Sequence, residues 1–237
     1  MHAIIYGTGN WAKLLASKLK IPYSFVGSSE KAEFKRTDKI PKKLKDSVVF
    51  IASETKNHLS DLKLALKTKP SIVFVEKGFA NLSDYVSGSK LIKEVPTYIL
   101  SQYRYSNITK KAKEIDQDIE KIFYDWHVDS NIKEWGYHIV SLDNYIRNQK
   151  NMFIVEESKT YKIDNISSFK LTESNERKLD VIITTKNYEI FLSFGDTNVY
   201  TVKGKRGIEY FEFYSEEDCL QKQIDGIFNN DIQLEKL

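Results

Sequence analysis

Ala3-Ile4-Ile5-Tyr6-Gly7-Thr8-Gly9-Asn10-Trp11-Ala12 is the stretch from which the rest of the chain is read. A short apolar run that ends on glycine suits a strand buried on both faces of a parallel sheet. Ala12, Leu15 and Leu19 then fall at i, i+3 and i+7, one face of a helix that stops before Pro22. Between strand and helix, Gly7 and Gly9 allow the tight turn and close backbone approach that present N–H donors to a pyrophosphate. Ala12 takes the third small position, where helix and strand pack closely. A plain strand-turn-helix junction is the other reading. The strand before and the helix after favour dinucleotide binding by Gly7, Thr8, Gly9, Asn10, Trp11 and Ala12.

Outward from this turn, strand and helix signals alternate. Tyr23-Ser24-Phe25-Val26, Val48-Val49-Phe50-Ile51 and Ile72-Val73-Phe74-Val75 read as buried strands, with a further strand at Thr97 to Leu100. Leu59, Leu62 and Leu66 repeat the helical spacing before Pro70. This alternation predicts a Rossmann-type parallel sheet over residues 1–100. Beyond it, Tyr188, Ile190, Leu192 and Phe194 alternate strictly, with weaker runs at Tyr161 to Ile166, Leu179 to Thr185, Val199 to Val202 and Ile208 to Phe213. Leu220, Ile224 and Phe228 mark a closing amphipathic helix. The expectation is an α/β chain whose N-terminal Rossmann parallel sheet is followed by a small α+β domain over residues 101–237 with a mainly antiparallel sheet.

The end of the second strand bears on which cofactor binds. A carboxylate for the adenosine ribose belongs there, yet Val26 is followed by Gly27-Ser28-Ser29 and Glu30 arrives late. Hydroxyls at Ser28 and Ser29, with Lys31, Lys35 and Arg36 nearby, suit a 2′-phosphate, which tilts the reading towards NADP with NAD as the alternative. A solvated, lysine-rich loop is the competing explanation.

The 36 basic against 33 acidic residues give a formal charge of +3 without a sustained basic block, so nothing points to nucleic acid. One cysteine, Cys219, allows no internal disulfide, and no apolar run is long enough for a membrane span. The apolar start has no basic leader, so the expectation is a cytoplasmic protein without targeting signal or membrane partner. Four scattered histidines offer no zinc-like spacing, and no metal is expected.

Two further segments follow the third and fourth strands: Ile51-Ala52-Ser53-Glu54-Thr55-Lys56-Asn57-His58 and Val75-Glu76-Lys77-Gly78. Together with the opening glycines and Glu134-Trp135-Gly136-Tyr137-His138, they make residues 1–145 resemble the glucose-fructose oxidoreductase, inositol dehydrogenase and rhizopine-catabolism (Gfo/Idh/MocA) family. That family shows a Gly-rich loop, Ile-Ala-Thr-Pro-x-x-x-His, Glu-Lys-Pro and Asp-x-Gly-x-His in this order. The chain departs from it at Glu54, Gly78, Glu134 and Ser141, and its second half is short. The resemblance implies hydride transfer at a hydroxyl or carbonyl of a sugar, sugar acid or nucleotide sugar. It also implies a catalytic pair at Lys77 and His138, and cofactor contacts at Ala52, Ser53, His58 and Glu76.

Glu134, His138, Ser141 and Tyr145 share one helical face, with Trp135, Ile139, Leu142 and Ile146 as an adjacent apolar stripe. Reduction of a carbonyl develops negative charge on oxygen, so a proton donor and a fixed cation both lower the barrier. His138 is the candidate acid/base, Glu134 a carboxylate that orients it or holds its proton, and Lys77, at the carboxyl end of a parallel strand, the cation at the substrate oxygen. A histidine bonded within an interdomain seam and an ordinary exposed lysine are the competing readings. Arg104, within Gln102-Tyr103-Arg104-Tyr105, suits a substrate carboxylate or phosphate, or else stacks among tyrosines at the surface. His2 and His127 read as strand-surface residues. The sequence thus sets an NAD(P)-dependent oxidoreductase with a small-molecule substrate against a non-catalytic dinucleotide-binding regulatory or structural protein. A sheet with alternating aromatic faces needs cover on its second side, which predicts a homo-oligomer, a dimer foremost.

Overall fold

A computed structural model describes residues 1–36, 47–77, 79, 82–92, 95–115, 118–128, 132–149, 155–157, 160–195, 197–204, 210–229 and 235–236. The chain forms two compact units, Met1–Ser101 with Gln223–Leu237, and Gln102–Lys222.

In the first unit, β1 (Ala3–Tyr6) is wholly buried and pairs in parallel with β2 (Tyr23–Gly27) on one side and β4 (Val48–Ile51) on the other. The short β3 (Phe34–Lys35) continues past β2, while β5 (Ile72–Glu76) and β6 (Thr97–Leu100) continue past β4, all parallel. The resulting order, β3-β2-β1-β4-β5-β6, reverses direction of growth beside β1. In open parallel sheets the crevice at such a switch point, outside the carboxyl ends of the strands, receives ligands. Helices α1 (Asn10–Lys18), α2 (His58–Lys67) and α3 (Leu82–Leu91) follow β1, β4 and β5. Ala12 and Leu15 bury the inner face of α1, and Leu62 and Ala65 bury that of α2 against a core of Ile4, Tyr6, Val26, Val49, Ile51, Val73 and Val75.

The second unit holds α4 (Asn107–Ile115), β7 (Ile119–Val128), α5 (Ile132–Arg147), β8 (Val155–Glu157), β9 (Thr160–Lys162), β10 (Ser167–Glu173), β11 (Lys178–Thr185), β12 (Tyr188–Phe194), β13 (Asn198–Gly204) and β14 (Tyr210–Ser215). The sheet order is β14-β13-β12-β11-β7-β10-β9-β8, antiparallel except where β10 runs parallel to β7. Alternate residues such as Tyr124, Trp126, Val181, Ile183, Ile190 and Leu192 bury one face against Ile139, Leu142 and Ile146 of α5. On the other face Phe123, Ile182 and Phe191 lie in cross-strand register, with Ile182 40% exposed and Tyr214, three strands from Ile182 on the edge strand β14, 58% exposed.

One boundary differs from the sequence expectation. Residues 101–237 do not all belong to the second unit, because α6 (Cys219–Phe228) carries the chain back and β15 (Glu235–Lys236) adds an antiparallel edge to β6. The free edge of a sheet is a template for a further strand, and the C-terminal segment takes it.

Candidate functional site

Gly7 has φ +116°, and a Cβ there would come within 2.6 Å of the Ala52 carbonyl oxygen. Its N–H donates to Val26 O at 2.8 Å, and the Ala52 N–H donates to Tyr6 O at 2.9 Å. The first glycine therefore exists because the turn after β1 is wedged against the loop after β4, so that two motifs well apart in sequence form one surface. Gly9 is different: it is exposed and extended, and a Cβ there would meet nothing within 4 Å. Open space thus lies over the start of α1, whose first turn has no side-chain cap. The N–H groups of that turn, which no intrahelical carbonyl can serve, form a cradle for an anion. Ala12, fully buried, lets α1 sit this close to β1.

Buried donors accompany the cradle. Tyr6 Oη, Trp11 Nε1 and Ser101 Oγ are buried with no hydrogen-bond partner among the described residues, at the end of β1, in the first turn of α1 and just after β6. An unsatisfied buried polar group costs about 1–3 kcal/mol, so three of them spread along the carboxyl edge of a parallel sheet fit a polar ligand. The open turn and these donors suit a dinucleotide's phosphates and sugars.

At the adenosine end, Ser28 and Ser29 are exposed and no carboxylate closes β2. Ser29 Oγ lies 2.8 Å from Thr8 Oγ1, and Lys35 Nζ donates to the Ser29 carbonyl at 3.0 Å. Arg36 is held otherwise than the sequence suggests. Its Nε lies 2.7 Å from Asp61 Oδ1 and its Nη2 donates to Asp61 Oδ2 at 2.8 Å, so its charge is met by a carboxylate rather than left for a 2′-phosphate. Asp61 is wholly buried and also accepts from Ser53 Oγ at 2.6 Å. Burial raises its carboxyl above the ordinary value, opposed by the Ser53 hydroxyl and the Arg36 guanidinium. The same cluster, with burial as the larger cause, raises the Tyr6 phenol. His58, expected at the cofactor, is instead fully buried at the start of α2 with Nε2 2.8 Å from Ser53 O. It shapes the loop of Ala52 and Ser53 and has no exposed surface to offer a ligand.

Glu76 ends β5, buried, and Lys77 follows with φ +54°. Among the described residues, two other non-glycine residues are left-handed, Lys69 and Asn148, and both terminate helices with closing bonds Lys69 N–H to Leu66 O and Gln149 N–H to Asn144 O. Lys77 has no helix to close. Such strain, roughly 1–3 kcal/mol, persists where surrounding structure enforces it and gathers at functional positions. The lysine Nζ stands 3.9 Å from Glu76 Oε1, its side chain mostly buried.

In the second unit, His138 is 5% exposed on α5, with the rings of Trp126 and Tyr103 at 5.7 and 6.0 Å between centroids. Glu134 lies in the first turn of α5, and its side chain falls outside the described residues. The face carrying His138 and Ser141 is buried like the apolar stripe beside it. Arg104, read as a substrate ligand or surface residue, is 7% exposed. It donates from Nε to Ser141 O and Oγ at 3.1 and 3.0 Å and from Nη2 to Ser141 O at 2.9 Å. Ser141 thus supplies acceptors to an interior arginine.

Asp61, Tyr6 and Ser101 in the first unit, and Tyr103 beside His138 in the second, are features to which the sequence reading gives no role. A phenol ending an otherwise aliphatic strand, and a lone carboxylate one turn after His58, are the signals that mark Tyr6 and Asp61. Among the described residues, no group of three or more His, Cys, Asp or Glu could hold a metal, and no helix is long and apolar enough to cross a membrane.

No protein-family profile matches the chain, and no curated protein matches its sequence. Solved structures do. A dehydrogenase (MviM) from Clostridium difficile superposes with a TM-score of 0.71 at 15% identity, covering 97% of this chain and 91% of that one. UDP-N-acetylglucosamine 3-dehydrogenase GnnA from Acidithiobacillus ferrooxidans gives 0.76 at 12% identity, covering 97% and 89%. A super-repressor mutant of Gal80p from Saccharomyces cerevisiae gives 0.66 at 14% identity, covering 100% and 87%. At such identities the likeness is one of fold. The chain has the fold of Gfo/Idh/MocA-type oxidoreductases, a Rossmann-type unit joined to an α+β unit with a mostly antiparallel sheet.

Proposed function

We propose that this chain is an NAD(P)-dependent oxidoreductase that interconverts a hydroxyl and a carbonyl on a sugar, sugar acid or nucleotide-sugar-like substrate. The observation that carries the reading is Lys77, a strained left-handed lysine at the carboxyl end of β5 without a helix to terminate. The open cradle over α1 and the unpartnered donors of Tyr6, Trp11 and Ser101 support the cofactor.

When bound, the nicotinamide supplies or accepts the hydride. The chain's residues manage the accompanying charge and proton. As an alcohol carbon gives up its hydride, its hydroxyl proton passes to His138 and a carbonyl remains; in reduction His138 returns that proton. Lys77 offers a fixed positive charge to the oxygen on which negative charge develops. NADP is the preferred cofactor in this reading, through Ser28, Ser29 and the exposed Lys31 and Lys35. The open face of the second sheet, with Phe123, Ile182 and Phe191 in one row, is assigned to a second copy of the chain in a cytoplasmic homodimer. Sedimentation at micromolar concentration reads the dimer, and a monomer alone counts against it.

The likeness to Gal80p favours a second reading, a regulatory dinucleotide-binding protein without turnover. Titration with NADPH and NADH, followed by a screen of sugar and nucleotide-sugar alcohols for cofactor reduction, separates the two. Tight binding with no turnover across a broad panel selects the regulator; absence of binding removes both.

A further inference from the structure

We infer that Tyr103 and Arg104 are positioning residues that hold His138 in one orientation, an inference that rests on the proposed role of His138. Both lie in a short 3-10 turn, Gln102–Tyr105, between β6 and α4. The turn is itself pinned to α4, because the Tyr103 carbonyl accepts from Thr109 Oγ1 at 2.7 Å and from the Ser106 N–H at 3.3 Å.

From this anchor two side chains reach α5. Arg104 holds Ser141, one turn beyond His138, through three donor contacts of 2.9 to 3.1 Å on its carbonyl and hydroxyl. Its Cζ also lies 5.7 Å from the ring centroid of Tyr145, a further turn along the same face. A planar guanidinium that grips two turns fixes both the rotation and the axial position of the helix, which a single ammonium cannot do. Tyr103 acts on the imidazole directly. Its ring meets His138 nearly perpendicularly at 83°, and it also packs edge-on against Trp126 and Phe194 at 5.8 and 5.1 Å. Trp126 closes another side of the imidazole, tilted by 52°. Burial pushes the Tyr103 hydroxyl up to about 12, so it stays neutral and serves as a ring rather than as an acid.

The test reads His138 first without a substrate. In proton NMR of the full chain, the His138 ring resonances, assigned by their loss in His138→Asn, stand displaced by the currents of the two aromatic rings. Tyr103→Phe keeps the ring and should leave them in place. Tyr103→Leu and Arg104→Lys should move them, while thermal melting reports whether each variant folds. With a turned-over substrate in hand, Tyr103→Leu and Arg104→Lys should lower kcat by about tenfold to a hundredfold with KM nearly unchanged, the scale expected of a slightly misplaced catalytic group. If Arg104→Lys does not fold, the Tyr103→Phe and Tyr103→Leu pair decides alone. Folded variants with unmoved His138 resonances and parental kcat overturn the clamp. Unchanged turnover in His138→Asn itself overturns instead the role assigned to His138.

Discussion

Both units bury closed polar networks, Asp61 with Arg36 and Ser53 in the first and Asp143 and Glu217 with their partners in the second, but the first also keeps buried donors open along one edge. In the second unit, Asp143 accepts from Tyr124 Oη at 2.9 Å, Ser167 Oγ at 2.6 Å and Arg147 at 3.1 Å, and Arg147 also holds Asp164 at 2.7 Å. Glu217 likewise gathers Ser106 Oγ, the Asn107 N–H, Asn198 Nδ2 and the Lys222 ammonium at the start of α4. A buried charge costs several kcal/mol unless it is surrounded in this way. Along the carboxyl edge of the first unit's sheet, Tyr6, Trp11 and Ser101 keep buried donors without partners among the described residues. Closed networks are scaffold, complete within the chain. Open donors along the carboxyl edge of a parallel sheet suit a ligand, and they single out that edge without reference to any motif.

The largest effect is expected at the two residues proposed to carry the chemistry. Lys77→Met and His138→Asn should each reduce turnover by roughly 100- to 10,000-fold with dinucleotide affinity nearly unchanged, and their double variant should lose little more than either alone. Steady-state kinetics with matched calorimetry checks this. Parental rates in both variants would remove the pair from the mechanism.

The closed side gives the next effect. Burial raises the Glu217 carboxyl, but the Lys222 ammonium, the Ser106 hydroxyl and the Asn107 N–H together hold it below its ordinary value. A depressed folded-state value means stability present above the unfolded value and lost as pH falls through the folded one. Glu217→Gln should cost about 2 kcal/mol near neutrality, by urea unfolding, and should flatten the acid limb of stability against pH. An unaltered acid limb would show that Glu217 does not carry it.

Trp11→Phe probes the open side with a smaller change. It removes one buried donor and should weaken dinucleotide binding about tenfold, the worth of a hydrogen bond to a charged group. The ligand-free protein should melt no lower, since its indole N–H meets no acceptor among the described residues. A lower melting point with unchanged affinity would place Trp11 with the scaffold.

What was legible in the sequence follows from how local each signal is. The runs Ala3–Tyr6, Val48–Ile51 and Ile72–Glu76 are buried on both faces and carry no polar residue before their ends, so the parallel sheet could be read directly. The strand Ile119–Val128, central to the second sheet, could not, because Lys121, Asp125 and His127 on its open face interrupt the apolar series. Motif spacing singled out Gly7, Glu76 and Lys77, which lie at or just after their strand ends. It could not find that Asp61 holds Arg36 or that Ser141 holds Arg104, since each pair is joined only by tertiary packing.

The smallest expected effect concerns the choice between NADPH and NADH, and it is small because of one such pair. Without a carboxylate at the end of β2, the usual acidic partner of the adenosine ribose is missing, and exposed Lys31 and Lys35 attract a 2′-phosphate. Exposed cations of this kind contribute up to about 1 kcal/mol each and are screened by salt. Arg36 would add a bidentate, partly buried contact, but Asp61 already occupies its Nε edge and one Nη2 hydrogen. The preference for NADPH should therefore stay within roughly tenfold at low ionic strength and shrink as salt rises. Calorimetric titration of both cofactors at low and high salt measures it. Tighter NADH binding would overturn the preference. A discrimination of about a hundredfold that survived salt would mean that Arg36 exchanges Asp61 for the phosphate, since only a charge-assisted bidentate contact supplies that much.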